Sequence, residues 1–295
     1  MKTLIDIDAK TEIAAVIGYP LNHSLSPAIY NLGFMEHQLN MIYLGFETTK
    51  ENTVQQIERL KGLKAKGINI TMPGKVEAMK CVDRLDPVAY YVQAVNMITQ
   101  DDNGDWVGYN TDGEGLWLAI KHHQVNPKDK KVVIYGSGST STVILAQAIL
   151  EGVSEVSVVA RSLNRPLYIK RVIDSLHKDY PQTIIRLIDL EESESVKEVI
   201  SQSDIIIQST SLGMCETSNQ SILENADWLN PSTVCVDVVY EPTVTKFMKQ
   251  AQSKGCYTIG GLDMLVYQAK RNFELFAHHS LPVDKIMTLL QNRMK

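Results

Sequence analysis

From residue 131 onward, short apolar runs alternate with helix-length segments. KVVIYG at 131–136 is a β-branched run ending in glycine. STSTVILAQAILEG at 139–152 reads as a helix, with Ser139 or Thr140 placed to cap its start and Gly152 just past its end. SEVSVVA (154–160), IIRLIDL (184–190), DIIIQST (204–210) and VCVDVVY (234–240) are further apolar strands. Strands that are apolar almost without a break are buried on both faces. With helices between them, they predict a parallel sheet covered front and back, the doubly wound Rossmann-type arrangement.

The first half alternates too, with different punctuation. AAVIGY (14–19), MIYLGFET (41–48) and INITMP (68–73) read as strands, with a helix over 26–39 between the first two. VNMITQ (95–100) and WVGYN (106–110) flank Asn103-Gly104, a dipeptide suited to a tight hairpin turn. The pattern predicts a small α/β domain with a mixed sheet. The stretch from Met264 onward is helical and is expected to return to this first domain.

Composition narrows the function classes. A chain of 295 residues has room for two domains, and 44% hydrophobic with 21% charged residues allows a sizeable core. No run approaches the roughly 18 uninterrupted apolar residues of a membrane helix. MKTLIDIDAKTEI carries acids where a signal peptide has its apolar segment, so a cytoplasmic location is expected. The net charge is −5 and no cluster of five basic residues occurs, which argues against a nucleic-acid partner. An anionic ligand must then be held by local groups. Cys81, Cys215, Cys235 and Cys256 are scattered and read as buried free thiols. The pairs His122-His123 and His278-His279 cannot chelate by themselves, so no metal site is expected. No pattern points to a particular oligomeric state.

The candidate chemistry starts at the glycine loop. The strand at 131–136 runs straight into Gly136-Ser137-Gly138-Ser139-Thr140-Ser141 and a helix, the context a dinucleotide fingerprint requires. Gly136 permits the tight turn and Gly138 the approach of backbone N–H groups to a pyrophosphate, while the helix N-terminus adds its positive dipole. The next strand ends in Arg161-Ser162, with Arg165 after it. A cation there suits a 2′-phosphate, favouring NADP, with NAD a possible alternative. Further polar clusters sit at strand ends in the first half, around Ser24 and Ser26, Asn69 to Lys75, Asn96, and Asn110 to Asp112. Singly, each has an ordinary explanation: Ser26 as a helix cap, Asn110 or Asp112 as turn residues, Lys75 as a solvated charge.

Together they carry more. HSLSP at 23–27, NITMPGK at 69–75, AVN at 94–96, GYNTDG at 108–113, GSGSTS at 136–141, STSLGM at 209–214 and GGLDMLVYQ at 260–268 resemble, in order and spacing, the shikimate dehydrogenase family. The resemblance implies a substrate-binding domain over 1–111 with 262–295 and a dinucleotide-binding domain over 112–261. It implies that Ser24 and Ser26 hold a substrate carboxylate, and that Thr71, Asn96, Tyr240 and Gln268 surround the ring. Lys75 and Asp112 would be the catalytic pair, also touching substrate. Thr210, Val238 and Gly261 would lie by the nicotinamide. The implied reaction is reversible reduction of 3-dehydroshikimate to shikimate. A quinate/shikimate dehydrogenase using NAD or NADP, and a non-catalytic sensor of cofactor or a shikimate-like acid, are the alternatives.

Overall fold

The structure, a computed structural model, describes residues 7–161, 163 and 168–293. The chain divides into two units, Met1–Thr111 with Val266–Lys295, and Asp112–Leu265.

The first unit is built on a six-stranded sheet. Its strands are β1 (Glu12–Gly18), β2 (Met41–Glu47), β3 (Gly67–Ile70), β4 (Arg84–Leu85), β5 (Met97–Gln100) and β6 (Trp106–Tyr109), in the order β2-β1-β3-β5-β6-β4. β1 lies parallel between β2 and β3, and β5 is antiparallel to both β3 and β6. The sheet is therefore mixed, as the hairpin chemistry predicts. The central position of β1 explains why Ala14 to Ile17 are all buried with no polar alternation. On one face, Ala15, Ile17, Ile68 and Ile98 pack with Ile57 and Leu60 of α2 (Thr53–Gly62). In the same unit α1 (Ser26–Glu36) contributes Tyr30 and Phe34 to an aromatic cluster with Tyr43, Phe273 and Phe276. Ring centroids there lie 4.5 Å apart for Tyr30–Tyr43 and 5.5 Å for Phe34–Phe273. Phe273 and Phe276 belong to α9 (Gly261–Ala277), so the late helical stretch does pack in this unit.

The second unit holds β7 (Lys131–Tyr135), β8 (Glu155–Ala160), β9 (Ile184–Asp189), β10 (Ile205–Gln208), β11 (Val234–Asp237) and β12 (Tyr257–Ile259). All are parallel, in the order β12-β11-β10-β7-β8-β9. Helices α4 (Thr111–His122), α5 (Ser139–Leu150), α6 (Tyr168–Asp179), α7 (Ser193–Gln202) and α8 (Lys246–Ser253) accompany them. Counted from β7, the sheet reads 3-2-1-4-5-6, the dinucleotide-binding order, which reverses direction between β7 and β10.

Several expectations need correcting. The first helix stops at Glu36 because Gln38 adopts a left-handed backbone, φ 55°. Helix α5 is capped by Gly138, with neither Ser139 nor Thr140 in that position. Cys81, Cys235 and Cys256 are buried, but Cys215 is exposed. Among the described residues no helix is long and apolar enough to cross a membrane, and no three His, Cys, Asp or Glu side chains gather as metal ligands.

Candidate functional site

In an open parallel sheet, ligands sit beyond the strand C-termini where the strand order reverses. In the second unit a cleft of about 540 Å³ lies there. Its floor is Gly136, Ser137 and Gly138 after β7; its walls are Ala160 and Arg161 after β8, Leu190 after β9, and Ser209 to Leu212 after β10. Gly136 has φ 119°, and a Cβ on it would sit 2.6 Å from Ser141 Oγ. Beside Gly138 there is open space, so a ligand has room to approach the backbone. The first N–H groups of a helix have no intrahelical acceptor, and a glycine cap leaves those of α5 uncovered. This loop and its cleft fit a pyrophosphate. Arg161 supplies a cationic side chain to the same cleft.

Ser141 plays a supporting part. It is fully buried and accepts the Ser209 hydroxyl at 2.9 Å, tying α5 to the end of β10. The 209–212 wall is in turn held by Gln208, whose Nε2 donates to the carbonyls of Thr210 (3.2 Å) and Leu212 (2.8 Å). Tyr135 also lines the cleft, and among the described residues its buried hydroxyl has no hydrogen-bond partner. Burial, with the Glu224 carboxylate adding to it, pushes that phenol well above its usual range. Ser162 lies outside the described residues.

Val238 and Gly261 meet at the next strand end. Gly261 N–H donates to Val239 O at 3.2 Å, and a Cβ at 261 would fall 2.2 Å from Val238 O. Only glycine allows α9 to start so close to the β11 backbone. Tyr240, two residues beyond Val238, is partly exposed. Asp112 stands in the first turn of α4. That helix is pressed onto α5: a Cβ at Gly113 would lie 2.4 Å from Val143 O, and Trp117 Nε1 donates to Ile144 O at 3.2 Å. Asp263, in the first turn of α9, is bound by His123 Nε2 at 3.0 Å, and His123 Nδ1 meets the Tyr257 hydroxyl at 2.8 Å.

In the first unit the strand directions gather the remaining residues. The C-terminal ends of β1, β3 and β6 and the start of β5 share one edge of the sheet. Gly18 (φ 152°) lets β1 run under Thr71, whose Cγ2 would lie 2.3 Å from a Cβ there. Tyr19 N–H donates to Met72 O at 2.8 Å and Val95 N–H to Lys75 O at 2.8 Å, so 71–75 is held from both sides. A buried chain of hydrogen bonds runs beneath. Tyr43 OH donates to Asn69 Oδ1 (2.7 Å), and Asn69 Nδ2 to Asn96 O (3.4 Å). Asn96 Oδ1 accepts Thr111 N–H (2.9 Å), and the Thr111 hydroxyl donates to Asn272 Oδ1 (2.8 Å). Asn272 Nδ2 donates to Gln268 Oε1 (3.1 Å). Burial pushes the Tyr43 phenol well up, with Tyr30 adding and a Ser26 hydrogen bond opposing, so it stays a donor. Ser24 and Ser26 lie half-buried at the start of α1, where Leu25 occupies the cap position and leaves neither hydroxyl to that duty.

The structure thus brings Asn96 and Gln268 into one network, and Gly136, Ser137, Gly138, Arg161 and Thr210 into one cleft. Lys75 belongs to the first unit and Asp112 to the second. Sequence reasoning misses Tyr43, Asn272 and Gln208 and gives Thr111 no role of its own, yet these four support the predicted residues from behind. A second cleft of about 340 Å³ in the first unit, lined by Tyr19, Glu47, Thr48, Asn52 and Arg59, contains none of the predicted residues.

Residues 16–98 match the family model described as shikimate dehydrogenase substrate binding domain, and residues 118–264 that described as shikimate / quinate 5-dehydrogenase. The chain is 33% identical to the shikimate dehydrogenase (NADP(+)) of Listeria monocytogenes, over 96% of this chain and 97% of that one. It is 31% identical to that of Alkaliphilus metalliredigens, over 97% and 99%. The crystal structure of shikimate 5-dehydrogenase from Listeria monocytogenes, in complex with shikimate and NAD, matches with a TM-score of 0.93 at 33% identity, covering 98% of this chain and all of that one. Similarity of this order along nearly the whole of both chains means that this protein belongs to the shikimate dehydrogenase family.

Proposed function

We propose that the protein catalyses the reversible, NADP-dependent reduction of 3-dehydroshikimate to shikimate. The observation that carries this reading is the near-full-length likeness to relatives named as NADP-dependent shikimate dehydrogenases. In this reading 112–265 takes the cofactor and the other unit the hydroxy acid, and a cytoplasmic setting suits the four free thiols.

The glycine loop, Ser137 and the N-terminus of α5 with Ser139 and Thr140 hold the pyrophosphate. Arg161, followed by Ser162, takes the 2′-phosphate. Thr210, Val238 and Gly261 border the nicotinamide, which supplies the hydride. Ser24 and Ser26 hold the substrate carboxylate by hydroxyl donation, while Thr71, Asn96, Tyr240 and Gln268 fix the ring. As hydride reaches the carbonyl carbon, negative charge grows on oxygen. The Lys75 ammonium stabilises it and delivers the proton; in oxidation Lys75 acts as base. Asp112 orients the ammonium and accepts a ring hydroxyl.

The test is absorbance at 340 nm with shikimate or quinate and NADP or NAD, in all four pairings. Shikimate with NADP is expected to be fastest. No turnover in any pairing overturns the proposal and leaves a protein that only binds. A second reading, use of quinate and of NAD, is favoured by the quinate-inclusive family model and by the NAD in the Listeria crystal structure. Comparable rates with quinate or NAD would select it. Lys75→Ala is expected to lower turnover roughly 10²–10⁴-fold, and a loss of less than tenfold removes the lysine from this role. Ser24→Ala should chiefly raise the KM for substrate.

A further inference from the structure

Asp237, the last residue of β11, is fully buried, and no step above uses it. Its Oδ1 accepts Val239 N–H at 2.9 Å and its Oδ2 accepts the Thr245 hydroxyl at 2.6 Å. Thr245, itself buried, is the N-cap of α8 and accepts Met248 N–H at 3.3 Å. One carboxyl therefore joins the end of a strand to the start of the next helix, and the segment between them carries Tyr240. Neighbouring contacts brace the same turn. Val238 N–H donates to Gln208 O at 3.0 Å, and Gly213, with φ 92°, lies 3.2 Å from Thr245 Cγ2 measured from where its Cβ would be.

The chemistry explains why an acid stands here. A carboxyl can accept an N–H and an O–H at once through its two oxygens. An amide offers one acceptor and one donor. Asparagine would keep the bond to Val239, but its Nδ2 cannot accept the proton of the Thr245 hydroxyl, which loses its acceptor. Burying a carboxyl is costly without such bonds, so its presence marks a place where both are needed.

We propose that Asp237 is a positioning residue, whose carboxyl clamps 238–245 so that Val238 and Tyr240 are presented to cofactor and substrate. This rests on the roles given to those two residues in the reading above. The clamp itself can be tested apart from turnover.

The experiment compares full-length parent, Asp237→Asn, Thr245→Val and Thr245→Ser. Amide hydrogen exchange is followed over 239–245 and over β7 and β8, and KM and kcat are measured with shikimate and NADP. Asp237→Asn and Thr245→Val are expected to speed exchange over 239–245 by about tenfold or more, the scale of one lost charge-assisted hydrogen bond. Exchange in β7 and β8 should stay unchanged. KM for both ligands should rise about tenfold while kcat changes less. A variant combining Asp237→Asn and Thr245→Val, measured alongside, should be no worse than the worse single one, and Thr245→Ser should behave as the parent. Parent-like exchange and kinetics in both disrupting variants overturn the clamp. If the parent turns over no shikimate, the enzymatic reading fails, and the exchange arm still decides whether the clamp exists. If Asp237→Asn does not fold, Thr245→Val alone carries the decision.

Discussion

At the scale of single residues, the site is bordered by groups whose environment makes their substitution informative. The Tyr135 hydroxyl is buried beside the cleft, with no partner among the described residues. A buried unpaired hydroxyl costs about 1–3 kcal/mol, and removing it relieves that cost. Tyr135→Phe is therefore expected to leave stability unchanged or raise it by about 1 kcal/mol in urea denaturation. A loss of more than that would mean the hydroxyl is bonded in solution. Gly261 is the opposite case. The atoms a Cβ would strike at 2.2–2.7 Å are backbone carbons and an oxygen of Val238 and Val239, which cannot rotate away. Gly261→Ala should cost about 3 kcal/mol and raise the KM for NADP. An alanine variant with parent-like stability would show that the start of α9 can shift.

At the scale of elements, legibility in the sequence depended on whether a signal was local. The strands of the second unit are readable because β7, β8, β10 and β11 are nearly all buried, so each is a continuous apolar run. β12 escapes notice: three residues long, at the sheet edge, it begins with the half-exposed Tyr257. β4, of two residues, and α2, with a largely polar surface, give equally little to read. The glycine loop is legible because its chemistry is contiguous. The network under Asn96 is not, because Thr111 and Asn272 lie 161 positions apart in the chain. Polar side chains paired that far apart leave no period in the sequence. That network should nonetheless matter more to stability than charges on the surface. Thr111→Val leaves Asn272 Oδ1 buried without its donor and should cost about 1–3 kcal/mol. The ion pair of Lys121 with Glu151, at 2.9 Å but partly exposed, should cost under about 1 kcal/mol when broken by Lys121→Met. Chemical denaturation of both variants checks the ranking, and equal losses would contradict it.

For the whole molecule, the buried acid at 237 gives stability a definite dependence on pH. Burial raises the Asp237 carboxyl from 3.8 to about 6, with the bonds from Thr245 and Val239 only partly opposing it. The folded protein thus keeps a proton that the unfolded chain releases. The favourable contribution is complete below pH 3.8 and is lost as pH rises through 6. The interval corresponds to about 3 kcal/mol at about 1.4 kcal/mol per pH unit. Other acids act in the reverse sense. Burial is the largest single influence on Asp204 and raises it, but the Lys131 N–H bond, the Lys130 bond and the charges of Lys130 and Lys131 together outweigh it and lower the carboxyl, so its contribution is lost as pH falls below the ordinary carboxylate range. A single stability curve mixes these groups; the difference between parent and Asp237→Asn isolates one of them. The asparagine variant loses its bond to Thr245 at every pH, which is a constant offset. It cannot ionise, so the offset should shift in its favour by about 2 kcal/mol between pH 4.5 and 7.5. Urea midpoints of the two proteins across that range measure the shift, and an offset independent of pH would mean that Asp237 ionises in the fold as readily as in water.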